Sequence, residues 1–315
     1  MLQTNRIVVG LTLLLLIGGI SACSNEASTK NVEILGAPSP IAYLGVEYSY
    51  NFGSSGGENL HNYSLSNHPA WLSLETINNN ARLGVIARGV PGITGGRRGL
   101  EDVTKNEDVT LALTDNGKYG SFSWDLDVKE NTIEIFGPEG YVEGTVPETD
   151  EQPVNSTDEC AYPDMTVKNI TVDGVDYKLF PVLAEVNLLQ PSVETVKVRY
   201  EFRTSYDENR TEQDGPNKSR ARKNHDYIID YDKDDSENLK FYNALYSPDD
   251  AFEPGVVTFE PGVTKCFIRA YVNEDLVAEA TETFSIYLGE VIEGIATVGA
   301  QKFDAVAIED NEPIV

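Results

Sequence analysis

The sequence predicts an all-β protein with two β-sandwich domains in tandem. Short segments alternate apolar and polar residues, which is the period of half-buried strands, and glycine-rich or polar turns separate them. A length of 315 residues suits two domains of ordinary size. The predicted divisions are a signal peptide over residues 1–22, a lipidated tether over 23–30, a first sandwich over 31–131, a linker over 132–158 and a second sandwich over 159–313.

The first 22 residues are typical of a targeting segment. Their apolar run, Ile7–Ile20, is too short for a comfortable membrane span. The tetrapeptide Ile20-Ser21-Ala22-Cys23 resembles a bacterial lipobox, which implies cleavage before Cys23 and acylation of that residue. More than one acyl chain gives stable anchoring, and Ser24 favours the outer membrane, on its periplasmic or surface face. An ordinary secretory signal is the alternative.

The first domain is predicted from its alternating segments. These are Glu47–Phe52, Tyr63–Leu65, Trp71–Leu74, Val109–Leu113 and Ser121–Val128, with glycine-rich breaks over 53–57 and 92–99. Asp115-Asn116-Gly117 favours a turn, because Asn and Gly accept positive φ. A calcium contribution from this motif is the alternative.

Several motifs of this domain resemble a dystroglycan-type cadherin-like, or putative immunoglobulin, domain. The motifs are Gly45–Tyr50, Leu65–Ser73, Gly89–Pro91, Leu113–Gly117 and Phe122–Leu126. The resemblance implies spacing and adhesion outside the cell. Trp71 is expected in the core, with a sugar-stacking role as the alternative.

The second domain carries two acidic clusters beside one pair of predicted strands. Cys266–Val272 and Glu282–Leu288 alternate, so the loop between them places Glu274, Asp275 and Glu279 at one tip.

A third strand, Phe303–Ile308, runs into Glu309 and Asp310, which we expect at that same tip. Carboxylates brought together there repel one another, and a divalent cation relieves the repulsion. Calcium is the default for oxygen ligands outside the cell. An acidic loop tip that binds nothing is the alternative.

These residues, with their neighbours, resemble a Calx-beta domain. The matching runs are Asp226-Tyr227, Gly255–Gly262, Glu274–Phe284 and Ile308–Asn311. The resemblance implies a seven-stranded, immunoglobulin-like sandwich and, in some members, calcium at the loop tips. It assigns ligand positions to Glu274, Asp275, Glu279, Glu309 and Asp310, and a role in the fold to Glu282.

Cys160 and Cys266 are left once Cys23 is lipidated, and in an exported compartment they most simply pair. Two long polar insertions, Thr204–Asn224 and Tyr231–Glu253, interrupt the second domain. Long loops on a rigid sandwich often bind partners, so Tyr242 and Tyr246 are candidate contacts.

Charge and motifs limit the function. A formal net charge of −27 opposes binding to nucleic acid or anionic lipid and favours solubility or attraction of cations. The three histidines lie in no H-E-x-x-H or nucleophile-elbow pattern, so no enzyme is predicted. The sequence therefore predicts a calcium-binding outer-membrane lipoprotein for adhesion or for an extracellular protein or glycan partner. The alternatives are an accessory carbohydrate-binding lipoprotein, with Trp71, Trp124, Tyr242 and Tyr246 as candidate platforms, and a structural spacer.

Overall fold

The structure is a computed structural model, and within it nearly all regular structure is β-strand. It describes residues 31–58, 60–94, 97–99, 107–138, 141–142, 144–146, 160–161, 163, 165–172, 175–204, 227–229, 255–274 and 281–309. Two 3-10 turns, Ile77–Asn79 and Ala81–Leu83, are the helical segments of these residues. No helix of this part of the chain has the length and hydropathy that a membrane span requires. The predicted fold class is confirmed, because the strands form two immunoglobulin-like sandwiches in tandem.

The first sandwich has two four-stranded sheets. Its strands are β1 (Glu33–Leu35), β2 (Ile41–Tyr43), β3 (Tyr48–Ser55), β4 (Asn62–Ser66), β5 (Ser73–Thr76), β6 (Val85–Gly89), β7 (Ile93–Thr94), β8 (Arg97–Arg98), β9 (Glu107–Asp115) and β10 (Lys118–Lys129). One sheet has the order β1-β3-β6-β5, the other has β2-β10-β9-β4, and β7 and β8 form a small hairpin. Alternate side chains point inward and make a core that includes Phe52, Trp71, Leu111, Leu113 and Trp124.

The turn predicted at Asp115-Asn116-Gly117 is confirmed. It joins β9 to β10, and Lys118 pairs directly with Asp115 across the hairpin. Asn116 has φ 47° and Gly117 has φ 80°, so both central residues are left-handed. A two-residue turn of this kind matches the twist of the two strands, and Asn-Gly is its favoured sequence.

The second sandwich has sheets of six and five strands. The strands are β11 (Thr132–Phe136), β12 (Tyr141–Val142), β13 (Lys168–Val172), β14 (Val175–Leu188), β15 (Val196–Thr204), β16 (Tyr227–Ile229), β17 (Gly255–Phe259), β18 (Lys265–Glu274), β19 (Glu282–Glu293), β20 (Thr297–Val298) and β21 (Phe303–Glu309). One sheet has the order β16-β18-β14-β11-β20, with β13 also paired to β14, and the other has β12-β21-β19-β15-β17. Its core includes Phe202, Phe259, Cys266 and Phe284.

The linker predicted over residues 132–158 is wrong at its beginning. Residues 132–136 form β11, which pairs with β14 and β20, and residues 141–142 form β12, which pairs with β21. Ile133 and Ile135 are fully buried in the second core. Residues 132–136 alternate over only five positions, and the acidic and glycine-rich sequence after them led to their assignment to the linker. The second sandwich therefore begins at Thr132, directly after the first. Residues 147–159 lie outside the described residues.

Asn131 joins the two sandwiches through its side chain. This residue is fully buried. Its Nδ2 donates to the carbonyl of Gln190 at 3.0 Å, and its Oδ1 accepts from the Gln190 amide at 2.9 Å. The Asn131 carbonyl also accepts from the amide of Thr297 at 3.0 Å. A buried side chain with both ends hydrogen-bonded fixes the direction in which the chain enters the second sandwich.

Ile295, between β19 and β20, packs into the core of the first sandwich. Its side chain is 3% exposed and belongs to the first core although the residue belongs to the second sandwich. Gly45 makes room for it, because a Cβ at Gly45 would come within 2.8 Å of the Ile295 carbonyl. The Gly45 carbonyl in turn accepts from the amide of Val193 at 2.9 Å and the hydroxyl of Ser192 at 3.3 Å. The two sandwiches thus share a packed junction.

Candidate metal site

Three strand ends meet at one end of the second sandwich. β18 ends at Glu274 and β19 begins at Glu282, which pairs with Ile308 of β21. Glu309, the last residue of β21, therefore lies beside the beginning of β19. β18 belongs to one sheet, and β19 and β21 belong to the other. We call the end of the domain that carries Glu274, Glu282 and Glu309 the acidic end.

The acidic end faces away from the first sandwich. The junction contacts come from Ser192 and Val193, which precede β15, and from Ile295, which follows β19. β19 runs from Glu282 at the acidic end to Glu293 near the junction. A site at the acidic end is therefore separated from the first sandwich by the length of the second.

Glu274 already has a cationic partner. It pairs with Lys178 of β14 in register, and Lys178 Nζ lies 2.5 Å from Glu274 Oε2. The Lys178 ammonium also lies 4.9 Å from the ring centre of Phe180. The side chains of Lys178 and Glu274 are 51% and 23% exposed, so solvent screens the pair in part. Any metal that used this carboxylate would compete with the ammonium group.

The side chain of Asn273 has a buried oxygen without a hydrogen-bond donor. The residue is 8% exposed, and its Oδ1 accepts no hydrogen bond in the structure. Successive residues of a strand point to opposite faces, so the side chains of Asn273 and Glu274 lie on different faces of the sheet. Asn273 immediately precedes Glu274 at the end of β18.

The structure describes two of the five predicted metal ligands. Glu274 is half-buried and Glu309 is exposed, at the ends of β18 and β21. Asp275, Glu279 and Asp310 lie outside the described residues. Over the part that is described, no three His, Cys, Asp or Glu side chains form a group able to hold a metal ion.

The predicted anchor and partner loop also lie outside the described residues, and both remain predictions. They comprise the signal segment, Cys23 and the tether, and Tyr242 and Tyr246.

Cys160 and Cys266 form a disulfide in the structure. Both are buried in the second core. Cys160 follows β11 and β12, the first two strands of the second sandwich. The bond therefore ties the segment between β12 and β13 to β18, whose other end is Glu274.

The sequence analysis did not predict a buried carboxylate in the first sandwich. The side chain of Asp115 is fully buried, and it accepts from the amides of Glu58 and Leu60 at 2.6 and 3.2 Å. Nε2 of His61 lies 3.3 Å from the same carboxylate, and its Nδ1 contacts the Ser54 hydroxyl at 3.1 Å. These contacts hold the connection between β3 and β4 against the β9–β10 hairpin. The available signal was an aspartate that ends an apolar strand, which the sequence analysis assigned to the turn, with a calcium contribution as the alternative.

The two tryptophans are core residues. Trp71 is 5% exposed and Trp124 is 8% exposed, and both belong to the first core. Trp71 packs edge-on against Tyr48, and Trp124 packs against Phe52. Neither ring offers a face to a sugar, so the expectation that Trp71 is a packing residue is confirmed and both are removed as candidate carbohydrate platforms.

Comparisons with known proteins give structural similarities at low identity. No protein-family model and no curated protein matches the chain. The chain is similar to the apo-form crystal structure of the Calx CBD1 domain, with 16% identity, coverage of 57% of this chain and 99% of that chain, and a TM-score of 0.27. It is similar to the titin domains z1z2 in complex with telethonin, with 9% identity, coverage of 90% and 93%, and a TM-score of 0.30. For bovine butyrophilin the identity is 9%, the coverage 88% and 98%, and the TM-score 0.24. Such values assign no ligand or partner.

Proposed function

We propose that this chain is a cell-envelope lipoprotein whose second sandwich binds calcium at its acidic end and acts in adhesion or in binding an extracellular protein or ligand. One observation carries the proposal: the ends of β18 and β21 and the beginning of β19 lie at the same end of the domain. The chain continues from Glu274 into Asp275 and from Glu309 into Asp310. Residues from two separate stretches of sequence therefore start from the same end of the domain.

The donor atoms at this end suit calcium. Calcium takes six to eight oxygen ligands with flexible geometry, as carboxylates, amide oxygens and water. The site would use Asp275, Glu279, Glu309 and Asp310, with Glu274 shared with Lys178. A bound calcium ion would offset the repulsion among the carboxylates and connect loops of the two sheets.

The location follows from the predicted anchor. Acylation at Cys23 would hold the chain on the outer membrane, with the first sandwich nearest to the lipid along the chain. Because the acidic end faces away from the first sandwich, a site there would be presented far from the membrane. No step of this function requires catalysis.

A thermal melt with calcium, magnesium or chelator tests the metal site. At a calcium concentration of 100 Kd, linkage stabilises the folded protein by about 2.7 kcal/mol. For a domain of this size we expect a rise in melting temperature of about 5–10 °C with calcium and not with magnesium. Calorimetry or far-ultraviolet circular dichroism is the proper readout, because both tryptophans lie in the first sandwich.

Matched charge variants make the test specific. Asp275→Asn with Asp310→Asn should abolish the rise caused by calcium. Asp108→Asn with Asp125→Asn removes the same charge from exposed positions of the first sandwich and should leave the rise intact. Equal melting temperatures of the wild-type protein in calcium and in chelator would overturn the proposal.

A structural spacer is the second candidate, and the junction favours it. Asn131 and Ile295 connect the sandwiches by buried contacts in place of a linker, so the chain is suited to hold a partner at a fixed distance. Co-purification with envelope proteins without any effect of calcium would favour this function. Alanine at both Tyr242 and Tyr246 should reduce attachment if the second insertion holds the partner; unchanged attachment would exclude those residues.

A further inference from the structure

One outer face of the first sandwich carries an array of nine residues, six of which are serine or threonine. Three strands contribute to it, and their registers align three rows across β4, β9 and β10. The rows are Asn62, Thr114 and Tyr119; Ser64, Ala112 and Ser121; and Ser66, Thr110 and Ser123. We call these nine residues the hydroxyl face.

The alternation of the strands explains why these residues point outward. The residues between the rows face inward, and Leu111, Leu113 and Trp124 among them are buried in the first core. Seven residues of the hydroxyl face are exposed, and only Thr110 and Ala112, on the central strand, are half-buried. Strand spacing puts neighbouring rows about 7 Å apart and neighbouring strands about 4.8 Å apart, so the face is a regular, shallow array.

No residue of the hydroxyl face carries a charge. The whole chain has a formal net charge of −27, and the next row along β9 and β10 is a pair of aspartates, Asp108 and Asp125. An anionic partner would find no basic side chain among the nine residues. The face therefore suits neither phosphate groups nor anionic lipid.

A protein partner is also a poor fit. The core of a protein interface is apolar and rich in large side chains, whereas the nine residues include one aromatic ring and one alanine. A second copy of this chain would bring the same net charge and be repelled. The composition of the face thus argues against self-association.

Hydroxyl groups match a neutral sugar chain. A serine or threonine hydroxyl both donates and accepts hydrogen bonds, as each sugar hydroxyl does. Thr110 Oγ1 and Ser123 Oγ contact each other at 2.8 Å, while the hydroxyls of Ser64 and Ser121 make no hydrogen bond within the described part of the chain. Short side chains also lose little conformational entropy when a ligand orders them.

Tyr119 adds an aromatic surface at one corner. The residue is 61% exposed and is the most exposed aromatic side chain of the described residues. Its ring has an apolar face and a polar hydroxyl, which suits contact with a sugar ring. We propose that the hydroxyl face binds a neutral polysaccharide, with Tyr119 packed against one sugar unit. This site lies in the first sandwich and does not depend on the proposed calcium site.

Affinity electrophoresis of the full-length protein in detergent tests the proposal. Each native gel would contain one polysaccharide. Three of the polysaccharides are neutral, a β-glucan, a mannan and a xylan, and the fourth, alginate, is anionic. We expect retardation by at least one neutral polymer and none by alginate. Tyr119→Ala should weaken the apparent affinity by roughly tenfold, a change of the size expected for loss of one aromatic anchor. Ser64→Arg, which puts a long cationic side chain in the middle row, should abolish the retardation.

The control is Ser55→Arg, at an exposed position on β3 in the other sheet of the same sandwich. It should bind as the wild-type protein does, and tryptophan fluorescence should confirm that all three variants fold. The proposal is overturned if no neutral polymer retards the protein, or if Tyr119→Ala and Ser64→Arg both bind normally. A dimer in light scattering that Ser64→Arg dissociates would also overturn it and assign the face to a second copy.

Discussion

Replacing Ile295 by alanine should destabilise the first sandwich, although Ile295 belongs to the second. The side chain is 3% exposed and packs in the first core. The substitution removes three carbon atoms, each worth about 0.8 kcal/mol of transfer free energy, and leaves a cavity. Together these terms predict a loss of about 2 to 4 kcal/mol from the free energy of unfolding.

The two tryptophans provide a specific assay. Trp71 and Trp124 are the only tryptophans of the chain, and both lie in the first core, so their fluorescence reports the unfolding of the first sandwich alone. For a domain of about 100 residues, a loss of 2 to 4 kcal/mol lowers the melting temperature by about 8 °C or more.

Ile292→Ala is the matched control. Ile292 lies three positions earlier, at the end of β19, and is 42% exposed. Its substitution should change the free energy of unfolding by less than about 0.5 kcal/mol. If Ile295→Ala and Ile292→Ala have the same melting temperature by tryptophan fluorescence, Ile295 does not pack in the first core and the proposed junction is wrong.

Two further predictions concern the disulfide and a buried tyrosine. Serine at both Cys160 and Cys266 removes a disulfide that spans 106 residues of sequence. On the chain-entropy model this should destabilise the second sandwich by about 4 to 5 kcal/mol, which calorimetry measures. An unchanged melting temperature of the second sandwich would contradict this prediction. Burial raises the pKa of Tyr48 to about 12, so its contribution to stability is complete below about pH 10 and is lost as the pH rises through 12. The stability advantage of wild type over Tyr48→Phe in urea should therefore be smaller at pH 11 than at pH 9; an equal advantage at both values would refute the prediction.

The acidic end shows why a site is harder to predict than a strand. The sequence indicated that β18, β19 and β21 are strands, because each alternation is a local property of a few residues. The same reasoning did not indicate that Lys178 pairs with Glu274, because the two residues are distant in sequence and meet only through the register of β14 and β18. A charge cluster in a sequence therefore does not reveal which of its members already has a partner.

The sequence by itself determined the fold class, the Asn116-Gly117 turn and the burial of Trp71. Each of these follows from neighbouring residues: alternation sets the face of a strand, and backbone preference sets a turn. Only the tertiary structure decided that β11 belongs to the second sandwich, that Ile295 packs in the first and that three strands align their hydroxyl side chains. These features depend on pairing between residues distant along the chain, and the same local pattern is compatible with many registers until the sheets form.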